Sequence, residues 1–329
     1  MTDSPKTGIL LSNLGSPERP DRKGVWRFLG QFLSDPRVVE LPRALWLPLL
    51  YGIILPLRSG RSARAYRKVW TDRGSPLVSI TGDQAELLQQ QSQQQGLNVT
   101  VAWGMRYGKP DLAQGLKTLV NEGCQRILLL PLYPQYASST TGSNFDAVTQ
   151  ALTQHRHLPE IRSVGDFHQH PAYINAVAEK IRGYWQQHGQ GDKLLLSFHG
   201  LPQNTHTRGD PYYTQCLKTG ELIGSRLELG EEQFEITFQS RFGRAEWLQP
   251  YTAERLVELG QQGIKQLDVV CPGFVADCLE TLEEIAIVGH ESFITAGGGE
   301  LRYIPAVNDD PDWITALGAI SQDELAGWL

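Results

Sequence analysis

The chain has 329 residues, 40% hydrophobic and 20% charged, a composition typical of a globular protein with room for two domains. Its net charge of −6 argues against a nucleic-acid partner, because a phosphate backbone requires a basic surface. The four cysteines form no CxxC pair, which argues against a structural zinc site and a four-cysteine iron–sulfur cluster. Few cysteines in a long chain are typical of a reducing compartment, so we expect a cytoplasmic protein.

Short apolar segments alternate with longer amphipathic segments along the chain. We predict strands over residues 8–13, 99–103, 126–131, 162–165, 193–198, 234–239 and 266–270. We predict helices over residues 83–95, 111–122, 171–188, 212–228, 250–262 and 275–287. Continuously apolar strands such as Ile127–Leu130 are typical of parallel sheets covered on both faces, and the strand–helix alternation predicts βαβ units.

Three segments of the first half resemble three segments of the second half, in the same order. The pairs are Leu10–Pro17 with Leu195–Pro202, Trp103–Gly108 with the segment from Gln239 (Arg106 matching Arg241), and Gly123–Pro131 with Gly263–Pro272. We therefore predict an α/β fold of two Rossmann-like lobes with parallel sheets flanked by helices, duplicated on one plan. The lobes would span residues 1–165 and 166–305, and a C-terminal helix within 306–329 would have the first lobe as a candidate packing partner.

His199 follows a predicted buried strand and precedes a Gly-Leu-Pro turn. In open α/β sheets ligands bind beyond the carboxyl ends of the strands, so this position is a candidate site. A lone histidine is also often structural, and the pattern alone leaves both interpretations open. The internal comparison pairs His199 with Leu14, which indicates that the scaffold itself does not require a histidine there.

A second candidate lies after the strand that ends at Cys271. If a helix begins near Val275, then Asp277, Glu280 and Glu284 share one face of it. Their carboxylates would bind a divalent cation or transfer protons. A solvated acidic helix surface remains the simpler alternative. The internal comparison pairs Glu280 with Ser139, so the second lobe would hold the reactive side chains.

A third candidate is the hydroxyl-rich segment Tyr133–Ser143, which follows a strand and precedes a helix. Hydroxyls at such a position cap helices, and they also suit an anionic group at a helix N-terminus. Both interpretations stay open for Ser138, Ser139 and Thr140.

The apolar segment 41–57 lies in the interval where the first half is longer than the second, so we interpret it as an insertion. Its apolar run is interrupted by Pro48 and Pro56 and is too short to span a membrane. Basic residues follow at spacing three: Arg58, Arg61, Arg64 and Arg67. Such a pattern is typical of a packed helix with a solvated basic face, or of an apolar lip beside basic residues, suited to a flat anionic ligand or a membrane surface.

These segments together resemble the ferrochelatase family, whose members insert ferrous iron into protoporphyrin to make haem. The resemblance rests on Ser197–Pro202, Gln239–Gly243, Trp247–Thr252 and Cys271–Glu284, and it extends over the first half through Leu11–Pro17, Gly74–Leu77 and Leu132–Ser143. The sequence is most similar to the Gram-negative bacterial type. It lacks the C-terminal iron–sulfur extension of the animal enzymes, so we expect no cluster and no permanently bound cofactor, with ferrous iron as the substrate metal.

The resemblance implies a porphyrin cleft between two lobes and assigns roles to several residues. His199 would accept pyrrole protons opposite Glu280, while Glu284 and Asp277 would belong to an acidic path for metal or protons. Leu14, Arg67 and Tyr133 would line the porphyrin pocket, and segment 41–57 would form a lip that often contacts the membrane. Some relatives have histidine at Cys278, which leaves the role of that position open.

Three alternatives remain at this stage. A sirohydrochlorin chelatase would share the fold, although we would then expect more histidines near His199. Coproporphyrin is a second candidate substrate. A porphyrin or haem carrier without catalysis would need the pocket but neither His199 nor the carboxylates.

Overall fold

The computed structural model describes residues 5–329, which form two compact units. The first consists of the described part of Met1–Tyr133, together with Ala137–Asp166 and Leu317–Leu329. The second consists of Pro134–Tyr136 and Phe167–Ala316. The C-terminal residues thus belong to the first unit, where the Arg162 guanidinium donates to the Glu324 and Ala326 carbonyls at 2.7 and 3.0 Å.

The first unit contains a four-stranded sheet with helices between its strands. In chain order the elements are β1 Thr7–Gly15, α1 Arg22–Leu33, α2 Arg43–Leu49, the π-helix π1 Leu50–Ile54, α3 Leu55–Val69, α4 Pro76–Gln94, β2 Val99–Tyr107, α5 Leu112–Asn121, β3 Arg126–Pro131, the π-helix π2 Ser138–Gly142, α6 Ser143–Leu152 and β4 Glu160–Ser163.

The second unit repeats this arrangement with fewer elements between its first two strands. Its elements are α7 Pro171–His188, β5 Lys193–His199, α8 Gln203–Thr207, α9 Tyr212–Arg226, β6 Phe234–Gln239, α10 Thr252–Gln261, β7 Gln266–Val270, the π-helix π3 Glu280–Gly289, α11 His290–Thr295 and β8 Glu300–Tyr303. A last helix, α12 Pro311–Glu324, crosses the boundary at which the chain returns to the first unit.

The two sheets share one topology, which confirms the predicted duplication and the fold class. Their strand orders are β2-β1-β3-β4 and β6-β5-β7-β8, with all neighbours parallel. The registers also correspond, since Asn13 pairs with Met105 in the first sheet and Phe198 pairs with Phe238 in the second. In both sheets the first strand of the unit is therefore central and buried.

The register corrects one predicted equivalence. Because Met105 corresponds to Phe238, the residue equivalent to Arg106 is Gln239. Arg241, which the sequence comparison had paired with Arg106, lies two residues further along. The amide of Met105 donates to the Pro110 carbonyl at 2.7 Å, and the amide of Phe238 donates to the Pro250 carbonyl at 2.8 Å. The loop after β6 is thus longer than the loop after β2. This extra length shifted the sequence alignment, which paired Arg106 with Arg241.

The central strands are completely buried, as their apolar sequences predict. Ile127–Leu130 of β3 and Leu195–Leu196 of β5 have no exposed surface. Burial of each such side chain contributes about 1.5–3 kcal/mol to folding. The sequence missed β8, whose short segment Glu300–Tyr303 follows a triple glycine and contains charged residues. The helix predicted over residues 275–287 begins later than predicted, because the π-helix starts at Glu280.

Candidate active site

The carboxyl end of β5 in the second unit lies at the topological switch point of its sheet. Strand β5 has β6 on one side and β7 on the other, so the strand order reverses direction at β5. Parallel α/β sheets bind ligands at this position. His199 is the last residue of β5, and the segment that follows β7 leads to Glu280, the first residue of π3.

Hydrogen bonds fix the His199 ring. Its Nδ1 lies 2.6 Å from the Gly200 carbonyl oxygen, which can only accept, so Nδ1 is the protonated nitrogen of the neutral ring. The Tyr212 hydroxyl donates to the His199 carbonyl at 2.9 Å, and the Gly200 amide donates to the Gln239 carbonyl at 2.8 Å. The Phe274 ring stands edge-on to the imidazole at 6.4 Å. The lone pair of Nε2 is therefore available as a base or a metal ligand.

Glu284 on π3 is held at both carboxylate oxygens by one residue. The Ser240 amide donates to Oε1 at 2.7 Å, and the Ser240 hydroxyl donates to Oε2 at 2.5 Å. Burial raises the pKa of Glu284 from its ordinary 4.5, while the Ser240 hydroxyl and, when the ring is protonated, the positive charge of His199 act to lower it. The nearby charge of Glu280 raises it further, so Glu284 interacts electrostatically with both His199 and Glu280.

Glu280 is held in place through a hydrogen bond to its backbone carbonyl. The Gln239 side-chain amide donates to the Glu280 carbonyl at 2.8 Å, and its oxygen accepts from the Ser197 hydroxyl at 2.7 Å and from the Cys271 thiol at 3.4 Å. Gln239 therefore connects β5, β6, the end of β7 and π3. Burial and the neighbouring Glu280 carboxylate raise the pKa of the Cys278 thiol, so this position is not a ready thiolate ligand.

Asp277 does not share a helix face with Glu280 and Glu284, and that prediction was wrong. It precedes the helix, and its buried carboxylate accepts four hydrogen bonds. The donors are the Thr281 hydroxyl at 2.9 Å, the Tyr303 hydroxyl at 2.5 Å, the Ala306 amide at 3.4 Å and the Asn308 side-chain amide at 2.7 Å. These bonds hold residues 275–278 in a bent conformation, which delays the helix start.

Two first-unit residues occupy the equivalent switch point. Leu14 lies at the end of β1 and Tyr133 follows the adjacent β3. The Tyr133 hydroxyl is inaccessible to solvent, and burial raises its pKa, against the lowering influence of Asn144. Arg67 lies elsewhere, with an exposed side chain in the last turn of α3.

The three hydroxyl residues form the first turn of π2. Ser138 accepts from the Arg37 guanidinium at 3.0 Å, and the Thr140 hydroxyl donates to the Ala137 carbonyl at 3.3 Å, while Ser139 is half-buried. The N-cap residue is Ala137, whose side chain has no acceptor for the first amides of the helix, so the structure does not support the helix-capping interpretation.

Segment 41–57 is helical from Arg43 onward and has two different faces. Trp46, Leu50 and Leu55 are buried, which agrees with a packed helix. The opposite face exposes large apolar side chains: Leu41, Leu45, Leu49, Tyr51, Ile53 and Leu57, of which Leu45 and Leu57 are more than 70% exposed. The buried side chains agree with a packed helix, and the exposed apolar face is the feature that an apolar lip would require. Among residues 5–329, no helix has the length and apolarity needed to cross a membrane.

Comparison with known proteins identifies the family. The sequence model of the family described as ferrochelatase matches residues 6–325. The chain belongs to the ferrochelatase family. It is 50% identical to the ferrochelatase of Janthinobacterium sp. (strain Marseille) over 99% of this chain and 88% of that protein, and 51% identical to that of Methylobacillus flagellatus over 98% and 94%. As a member of this family, the protein is an enzyme of the metal-chelatase class.

Solved structures support the same fold. SirB from Bacillus subtilis superposes with a TM-score of 0.56 at 12% identity, covering 98% of this chain and 96% of that one. A multi-domain protein of Deinococcus radiodurans with structural similarity to chelatases gives a TM-score of 0.51 at 15% identity, over 97% and 55%. At these identities the likeness concerns the fold alone.

Sequence reasoning missed Gln239 and Ser240 as site residues. Their signal was the predicted strand end at residue 239, because β6 is the neighbour of β5 and its end must lie beside His199. Within the described residues, no group of three or more His, Cys, Asp or Glu side chains is arranged to hold a metal ion.

Proposed function

We propose that the protein inserts ferrous iron into protoporphyrin IX, with release of two pyrrole protons, and so forms protohaem. The observation that supports this most directly is the oriented ring of His199, whose Nε2 carries the free lone pair of the neutral ring at the switch point, near the Glu284 carboxylate.

Proton removal is the first requirement of the reaction. A free-base porphyrin has two inner N–H groups, and both protons must leave as the metal enters. A neutral imidazole accepts a proton near neutral pH, and the Nδ1 bond to Gly200 directs that acceptance to Nε2 of His199. The resulting imidazolium would be stabilised by the carboxylate of Glu284, which interacts with the charge of His199.

Delivery of the metal is the second requirement. Ferrous iron must lose bound water, and carboxylate oxygens replace it readily. Glu280 and Glu284 lie four residues apart on π3, and we assign them to the metal and proton path. Asp277 supplies a structural anchor for that helix instead, because its oxygens already accept four hydrogen bonds.

The porphyrin would contact first-unit residues as well. We assign Leu14 and Tyr133 to this role because they occupy the first unit's own switch point. The same assignment includes Ser138, Ser139 and Thr140 on π2 and the exposed guanidinium of Arg67. Exposed apolar residues of segment 41–57 would contact a membrane surface beside the basic residues of α3.

One assay tests the proposed reaction. Anaerobic wild-type protein with ferrous iron and protoporphyrin should form haem, measured by its absorbance. His199→Ala should abolish turnover and retain porphyrin binding, measured by fluorescence, while the exposed His157→Ala serves as the control with full activity. Haem formation by His199→Ala at the wild-type rate would refute the assigned base. Porphyrin binding by the wild type without turnover would instead indicate a carrier.

A cluster assay accompanies it. The four cysteines are free and buried: Cys124, Cys216, Cys271 and Cys278. We propose that the enzyme functions without an iron–sulfur cluster. Acid-labile sulfide in stoichiometric amounts in the anaerobically purified protein would contradict this.

A further inference from the structure

Ser240 has an unusual backbone conformation next to the proposed base. It follows the last residue of β6, and its φ of 65° lies in the left-handed region that L-residues with a Cβ rarely adopt. Such conformations persist only when surrounding contacts impose them, and they concentrate at functional sites.

The left-handed turn has one evident consequence. It points the amide and the hydroxyl of Ser240 at the same carboxylate, at 2.7 Å to Oε1 and 2.5 Å to Oε2 of Glu284. The preceding Gln239 adds a long contact of 3.5 Å to Oε2 and a bond of 2.8 Å to the Glu280 carbonyl. Two donors from one residue leave the carboxylate a single orientation.

We propose that Ser240 is a positioning residue, which fixes the Glu284 carboxylate so that it presents one orientation to an incoming divalent metal ion. The inference rests on the proposed role of Glu284 in metal delivery. Ser240 itself need not touch the metal or the porphyrin, and it acts through Glu284.

The discriminating variant is Ser240→Gly. Glycine adopts a φ of 65° without a steric penalty, so the backbone and its amide bond to Glu284 remain while the hydroxyl bond is lost. The control is Glu228→Gly, which also replaces an L-residue at a left-handed φ of 59°, on an exposed position after α9. Both variants should remain folded, because each glycine accepts the left-handed conformation, and thermal unfolding checks this.

The kinetic readout is a double-mutant cycle with Glu284→Gln. Loss of one charge-assisted hydrogen bond should lower kcat/KM for ferrous iron roughly 10-fold to 100-fold in Ser240→Gly, with the porphyrin KM unchanged. In the Glu284→Gln background the same substitution should have a smaller effect, because the charged acceptor of the Ser240 hydroxyl is gone. Equal losses in both backgrounds, or wild-type kinetics in Ser240→Gly, would overturn the positioning role.

A binding measurement separates this proposal from the proposed reaction. Calorimetric titration of porphyrin-free protein with Co²⁺ should show weaker binding by roughly tenfold in Ser240→Gly and wild-type binding in Glu228→Gly. If the wild type failed to make haem but this difference persisted, only the assigned reaction would fail. If Co²⁺ bound Ser240→Gly and wild type equally, the positioning role would fail whatever the turnover.

Discussion

The His199 ring and the Gly200 carbonyl are joined at 2.6 Å, while the Gly200 amide donates to the Gln239 carbonyl at 2.8 Å. One residue, Gly200, therefore connects the proposed base to the end of β6 through its carbonyl and its amide. Because the orienting acceptor belongs to the main chain, its position depends on the close approach of Gly200 to Gln239.

Gly200→Ala should disturb both stability and catalysis. A Cβ at this position would lie 2.7 Å from the Gln239 carbonyl oxygen and 3.2 Å from the Trp247 ring, so the peptide must shift. We expect a loss of about 1–3 kcal/mol in unfolding free energy, measured with urea, and reduced haem formation. Gly183→Ala is the control, since its Cβ would meet no atom within 4 Å and should leave activity intact. An active Gly200→Ala of wild-type stability would contradict the argument.

Asp277→Asn should reduce stability without changing the KM for ferrous iron. The NH2 group of an asparagine at this position would face the Asn308 side-chain amide, which donates to Asp277 at 2.7 Å, so two donors would meet. The charge-assisted bonds to the carboxylate would also be lost. We expect a loss of about 2–3 kcal/mol in unfolding free energy. Residual activity should be measured below the unfolding transition. A large rise in the metal KM of the folded variant would restore Asp277 to the metal path.

Asp35 should make the first unit sensitive to acid. Burial alone would raise the pKa of its carboxyl, but hydrogen bonds from Ser143, the Arg37 amide and Tyr107, with the charge of Arg106, hold it below 3.8. A lowered pKa stabilises the fold above pH 3.8, and this contribution is lost as the pH falls through the native pKa.

Asp35→Asn should therefore cost about 3–5 kcal/mol near pH 7, because it leaves Arg106 without its buried partner. The difference from wild type should shrink below pH 3.8. The exposed pair of Asp146 with Arg37 provides the control, and Asp146→Asn should cost less than about 1 kcal/mol. A pH-independent difference for Asp35→Asn in denaturant unfolding would refute the electrostatic cause.

The apolar face of segment 41–57 should govern membrane binding. The double variant Leu45→Ser, Leu57→Ser removes two side chains that are 73% and 74% exposed, so the fold should be unaffected. Flotation with anionic vesicles should recover less of this variant than of the wild type. Phe145→Ser removes a 48% exposed aromatic outside the segment and should float normally. Equal flotation of all three proteins would exclude membrane contact through this face.

The strands were the most predictable part of the fold. Continuous apolar runs such as Ile127–Leu130 can be buried only in a sheet covered on both faces, so their sequence alone predicts them. The helix beginning after β7 was less predictable, because the hydrogen bonds that delay it to Glu280 come from Tyr303 and Asn308, distant in sequence. Local periodicity contains no information about such partners.

The sequence by itself determined the duplicated α/β plan and placed His199 at a strand end, because burial patterns and turn residues are local properties of the chain. Only the tertiary structure decided three things: which nitrogen of His199 is free, that Asp277 does not share a helix face with Glu280, and which residue holds the Glu284 carboxylate. The bonds to Glu284 and Asp277 join segments far apart in sequence. The Gly200 carbonyl that orients His199 is adjacent in sequence, but the Gly200 amide is held by the distant Gln239 carbonyl. Such long-range bonds exist only after β5, β6 and β7 have assembled into one sheet.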